Sequence, residues 1–201
     1  MFRVKGRGIK QLAAGALRAI SENFNKIIRN KKPVIQDRIN KIVRNRLFYC
    51  PELISLRSDL PGELRSEFGI TQTEAVVATE TTIRAIQNGI TVEITPLKPN
   101  RPGKIAVSLD LTGLKNQNLS TIIKNGSLPY MNWLLEYGDR TIIYDYSISA
   151  VGRGRSGVPG IMVGGSGWRV PPQYSGVEGN NFVTRALDGL EEELTNVLNT
   201  L

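Results

Sequence analysis

Residues 152–157 read GRGRSG, a match to G-x-G-x-x-G. In a dinucleotide-binding loop, those glycines let the backbone approach a pyrophosphate, with a strand before them and a helix opening directly after. Here the next residues are VPGIMVGGSG, and Pro159 with four further glycines forbids that helix. No G-x-x-x-x-G-K-[ST] pattern occurs either. The stretch from 152 to 176 holds 8 glycines and 3 prolines in 25 residues, yet it carries Ile161, Met162, Val163, Trp168 and Tyr174. A purely solvated linker has no use for such anchors, so a long loop or β-excursion that orders against another subunit is expected.

Other chemistry-bearing residues are sparse. The chain has no histidine and one cysteine, Cys50. No imidazole can activate a serine or cysteine, an intrachain disulfide is impossible, and zinc loses its usual ligands. Cys50 reads as a small buried residue. Glu136 and Asp139 are neighbours, as are Glu191, Glu192 and Glu193. An acid–base pair needs a shaped pocket that drives two pKa values apart, and nothing in the spacing provides one. The sequence therefore points away from an enzyme, with no cofactor and no metal expected.

Charge is the more informative signal. The net charge is +8, but residues 1–48 carry 13 Lys/Arg against Glu22 and Asp37, a net +11. The remainder carries 13 basic and 16 acidic residues, a net −3. Such polarity suits nucleic-acid contact or head-to-tail contact between subunits. No helix-turn-helix, zinc-finger or aromatic RNA-binding pattern accompanies the basic segment. No window approaches the ~18 apolar residues of a membrane span, and Arg18 interrupts the only stretch resembling a signal peptide. A soluble protein made in a reducing cytoplasm is expected.

Several elements must position these residues. Ile9, Leu12, Ala13, Ala16, Leu17, Ile20, Phe24, Ile27 and Ile28 recur at spacings of three and four, the mark of one apolar helix face. Asn30-Lys31-Lys32 followed by Pro33 predicts a break and a second helix to about Phe48, with Val34, Ile35, Ile39, Ile42 and Val43 inward. Residues 1–50 then form a basic helical arm or hairpin, and 51–201 an α+β domain. Residues 51–69 are punctuated by Pro51, Pro61, Gly62 and Gly69. Thr71 and Glu74 have capping-box spacing for a helix ending at Asn88-Gly89. ITVEITPL (90–97) and KIAVSLDL (104–111) alternate as an antiparallel pair. A short helix over 128–138, a strand over 140–151 and a terminal helix over 180–198 complete the reading, an α+β fold.

Three short stretches resemble, in order, elements of the tail-completion or minor tail component family of tailed bacteriophages. DLPGELRS (59–66) resembles its D-x-[TP]-G-x-L-R-x-S element, WLLEYG (133–138) its W/F-x-x-E-[FY]-G element, and NNFVTRAL (180–187) its closing P-F-[LI]-R-P-A-[LF] element. Asp139 stands where a threonine commonly follows, and Thr184-Arg185 where the family often has Arg-Pro. The resemblance implies a structural virion protein at the neck or tail end, made in the host cytoplasm. It would form a ring around the DNA channel and join a connector, tail tube or sheath, with no membrane involved. The residues expected at subunit contacts are Arg18, Lys26, Arg29 and Arg44 of the helices; Arg153, Arg155, Ile161, Met162, Trp168, Arg169 and Tyr174 of the glycine-rich stretch; and Trp133, Glu136, Tyr137, Phe182 and Arg185. For Trp133, Tyr137, Trp168 and Phe182, plain core is the competing reading. Non-specific contact with DNA, or a nucleic-acid-binding role for the basic helices, is the alternative.

Overall fold

A computed structural model describes residues 6–111, 121–123, 126–154, 157 and 159–200. Its first element, α1 (Gly6–Phe48), is a single helix of 43 residues with Pro33 inside it. The expected hairpin therefore does not form. Asparagine and lysine break no helix on their own, and Pro33 costs the hydrogen bond its missing N–H would donate one turn back and crowds its ring against the carbonyl there. Packing on both sides of the proline outweighs that loss. Before it, the Asn25 amide donates to the Leu97 carbonyl and accepts from the Leu97 N–H, both at 2.8 Å. After it, Ile35, Ile39, Val43 and Leu47 are buried at four-residue intervals.

That buried row meets the rest of the chain. Helices α2 (Pro51–Arg57) and α3 (Leu64–Phe68) occupy the punctuated segment, and Gly69 ends α3 in the left-handed region at φ 63°. Helix α4 (Gln72–Asn88) begins with the expected capping box: Thr71 N–H donates to the Glu74 carboxylate at 2.7 Å, and Glu74 N–H donates to the Thr71 hydroxyl at 3.3 Å. Strands β1 (Ile90–Thr95) and β2 (Lys104–Leu109) pair antiparallel in the register Ile90↔Leu109. Leu53, Leu56, Leu64, Ile83, Ile86, Val92, Tyr130, Leu134 and Phe182 join the α1 row in one core. The second half of α1 is thus an interior element of the domain, and only the first half is an arm.

The remaining strands form separate two-stranded ladders: β3 (Thr121–Ile123) with β4 (Gly126–Leu128), and β5 (Tyr146–Arg153) with β6 (Pro159–Gly164). The first of these was not legible in the sequence. Between the ladders lies α5 (Tyr130–Leu135). The strand expected over 140–151 starts later, because Asp145 turns the chain at φ 63°. Of the two readings of the glycine-rich stretch, loop or β-excursion, part of it is the latter: β6 is the return arm of a hairpin with β5. The expected terminal helix is two helices, α6 (Phe182–Ala186) and α7 (Leu190–Asn199). Gly189 at φ 67° separates them, while Asn181 caps α6 by accepting from the N–H groups of Val183 and Thr184. The architecture is α+β.

Candidate functional site

The three stretches that carry the phage resemblance fall on α3, α5 and α6, which the fold gathers around one centre. Phe68 of α3, two residues after the first stretch, stacks near Tyr130 and Trp133 of α5, of which Trp133 opens the second stretch, with ring centroids 5.6 and 5.8 Å apart. Phe182 of α6 is fully buried in the same core, and the Asn181 side chain donates to the Leu135 carbonyl. The glycine of WLLEYG has a steric reason. A Cβ on Gly138 would lie 2.6 Å from the Trp133 carbonyl oxygen, and one on Gly176 would lie 1.8 Å from that of Leu134. The two glycines let the chains touch, and Gly138 N–H donates to the Gly176 carbonyl at 3.1 Å.

Three carboxylates on α2, α3 and their linker then tie down the segment from 168 to 185. Glu67 accepts from the Trp168 indole at 2.6 Å, Glu63 accepts from the Tyr174 hydroxyl at 2.7 Å, and Glu52 pairs with Arg185. Ser55 donates its hydroxyl to Glu63 and accepts from Leu64 N–H. Burial raises the Glu67 carboxyl above its ordinary range, and the indole donor only partly offsets it. Burial likewise raises the Tyr174 phenol. These carboxylates hold a strap in place, and each faces a structural partner.

Burial pushes the Cys50 thiol up to about 12, which keeps it protonated and unreactive at neutral pH. Among the described residues, no group of three metal-ligating side chains occurs. Glu136 borders a cavity of about 270 Å³ with Leu111, Leu135 and Glu178, while Asp139 is exposed outside it. Of the C-terminal acidic run, Glu193 is engaged by Arg46 at 2.7 Å, and Glu191 and Glu192 face solvent.

What the surface does offer, among the described residues, is two apolar regions that are largely exposed. One is the first half of α1, where Leu12 is 74% exposed, Ile20 62% and Phe24 48%. The other is the β5–β6 hairpin with the turn before it, where Tyr144, Tyr146, Val151 and Met162 are exposed. Beside the hairpin runs a groove of about 690 Å³. Its floor is Phe68, Trp133 and Trp168, whose rings lie 5.6–5.9 Å apart, and its wall is Ile148, Ile161 and Met162.

The residues expected at contacts divide accordingly. Arg18, Lys26 and Arg29 are exposed on the arm, with Arg18 paired to Glu22 one turn on. Arg153, Ile161 and Met162 line the groove from the hairpin side, Trp133 is half-buried in its floor, and Arg169 is exposed nearby. Tyr137 is 43% exposed, with the Arg140 guanidinium 5.3 Å from its ring centre. Four residues work inside the chain instead. Arg44 is bidentate to Glu80, Tyr174 and Arg185 hold the strap, and Phe182 is core. Trp168 is 94% covered, so it shapes the groove and does not protrude. Arg155 lies outside the described residues. Sequence reasoning named the Leu12–Ile27 face as helical but not as surface. It also passed over Tyr144, Tyr146 and Val151, for which the density of exposed-type aromatics around YDY was the available signal. No family model, curated protein or solved structure matches this chain.

Proposed function

We propose that this chain is a structural virion protein of a tailed bacteriophage, acting in tail completion or head–tail joining as a ring-forming subunit at the neck or tail end. The observation that carries the reading is the ordered set DLPGELRS, WLLEYG and NNFVTRAL, whose elements α3, α5 and α6 share one core in this fold. Two exposed apolar regions of different shape support it, because a ring is built from heterologous contacts between two unlike surfaces of each subunit. The partners would be further copies of the chain and a connector, tail tube or sheath protein, with DNA passing through the channel. The test is genetic. Interrupting the gene in a producing phage should leave separate heads and tails, or tails of defective end structure, in electron micrographs, and the protein should be found by mass spectrometry in purified wild-type particles. Normal infectious particles from the interrupted phage would overturn the proposal.

A nucleic-acid-binding role is the second reading, favoured by the exposure of Lys26, Arg29, Lys31 and Lys32 along one stretch of α1. It predicts that log affinity for DNA falls steeply with log salt. It leaves the apolar face of the same helix without a purpose, which is why it ranks second.

A further inference from the structure

We propose that the N-terminal half of α1 docks its exposed apolar row, Leu12 to Phe24 with Ile27, into the groove beside the β5–β6 hairpin of a second copy of this chain. The proposal deepens the self-association in the reading above and rests on it. Leu12, Ala16, Ile20 and Phe24 form a row at four-residue spacing, joined by Leu17 and Ile27, and all six are exposed. Covering these side chains would remove further apolar surface from water. A contiguous face of this kind marks a contact surface.

The occupant follows from charge and shape. A second arm is a poor partner, because Arg18, Lys26, Arg29, Lys31 and Lys32 flank the row and only Glu22 opposes them. Two such helices side by side would set like charges within a Debye length. The rest of the chain is net negative after residue 48, so the body of another copy attracts what an arm repels. The body also carries an apolar groove floored by Phe68, Trp133 and Trp168, with exposed Met162 on its wall, the Glu67 carboxylate at its floor and Arg153 at its hairpin side. An arriving lysine or arginine would meet that half-buried carboxylate. A helix cannot serve its own groove, because α1 packs on α4, β1 and α7 while the hairpin packs on α3, and α1 continues outward past its Asn25 tether without a break. The contact joins two unlike surfaces, so it propagates from copy to copy.

Single cysteines test the pairing directly, since native Cys50 is 96% covered. Chains carrying Ile20→Cys and chains carrying Met162→Cys are mixed and treated with a short bis-maleimide. A heterodimer that appears only in the mixture is the expected result. Cross-linking of Ile20→Cys chains to one another would show arm–arm pairing and overturn the proposal. Absence of the mixed product, while sedimentation still shows assembly, would overturn the docking and leave self-association standing. A chain that sediments as a monomer at every concentration would remove self-association itself. In parallel, Ile20→Asp with Phe24→Asp should weaken assembly by about 100-fold or more. Circular dichroism should stay unchanged, because Ile20 is exposed and Phe24 lies outside the core, at the edge of the cleft it shares with Ile94, Leu97 and Ile105.

Discussion

The two halves of α1 carry the same kind of apolar row and end in opposite environments. Residues 12, 16, 20 and 24 repeat every four positions and are exposed; residues 35, 39, 43 and 47 repeat every four positions and are buried. Helix winding does not account for the difference, because each row turns by the same ~120° from its first residue to its last. At about 100° per residue, a four-residue row winds around the axis by about 40° at each step. What differs is the cover: the domain packs around the second half through its whole turn, and Leu12, Leu17 and Ile20 stay exposed. Periodicity chooses the face of a helix; the presence of something to pack against decides its burial.

The sharpest way to break this comparison is to delete matched side chains. Leu47→Ala removes a fully buried side chain and should destabilise the chain by about 2–5 kcal/mol in urea titrations. Leu17→Ala, on the exposed half, should change monomer stability by less than about 0.5 kcal/mol. Equal losses at both positions would mean that the arm is packed within its own chain.

The next effect concerns the cover on the buried half. Glu52 is 2% exposed and Arg185 is its ionic partner. Arg185→Met should cost about 3 kcal/mol by leaving an uncompensated buried carboxylate. The double variant Glu52→Gln/Arg185→Met should recover much of that loss, and a double variant as unstable as the single would refute the ion-pair account. A smaller effect is expected from Arg46, which fastens α7 over α1 by donating to Glu193 and to the carbonyls of Ala186 and Asp188. Arg46→Met should cost about 1–3 kcal/mol and raise hydrogen exchange in α7 before α4. Unchanged exchange in α7 would show that Leu190, Leu194 and Leu198 hold that helix unaided.

Much of this arrangement was legible in the sequence, and the misses share a cause. The capping box at Thr71 and Glu74, the β1–β2 alternation and the loss of any helix after GRGRSG are local signals, readable from a few residues. The continuity of α1 through Pro33 was hidden because it depends on the Asn25 contact with Leu97, 72 positions away. The glycine-rich run, with no alternation, left loop and β-excursion undecided, and the division at Gly189 was masked by leucines that keep helical spacing on both sides. The carboxylate–strap pairs link residues more than 100 positions apart. Their partners could be suspected singly but not paired. The groove was half visible: Ile161, Met162 and Trp168 were expected to anchor a contact, but the floor exists only once α3, α5 and the strap are folded together.

The strap also offers the finest test of what separates the covered region from the free one. Glu67 sits at the groove floor, and burial raises its carboxyl above the ordinary value near 4.5. A carboxyl that is harder to ionise in the fold than in the open chain holds more protons in the native state across that interval, so the sign of the linkage is fixed. Stability should decline as pH rises from about 4.5 through the folded value of Glu67, and above that value this contribution is fully lost. Glu67→Gln keeps an oxygen to accept from the Trp168 indole while removing the charge. It should flatten the decline over that interval and leave the rest of the pH profile in place. An unchanged slope would mean that the groove floor is as well solvated as the arm. If the arm of another copy does cover the groove and sets a cation beside Glu67, the slope should shrink on assembly in the wild type and stay as it is in the Ile20→Asp/Phe24→Asp variant.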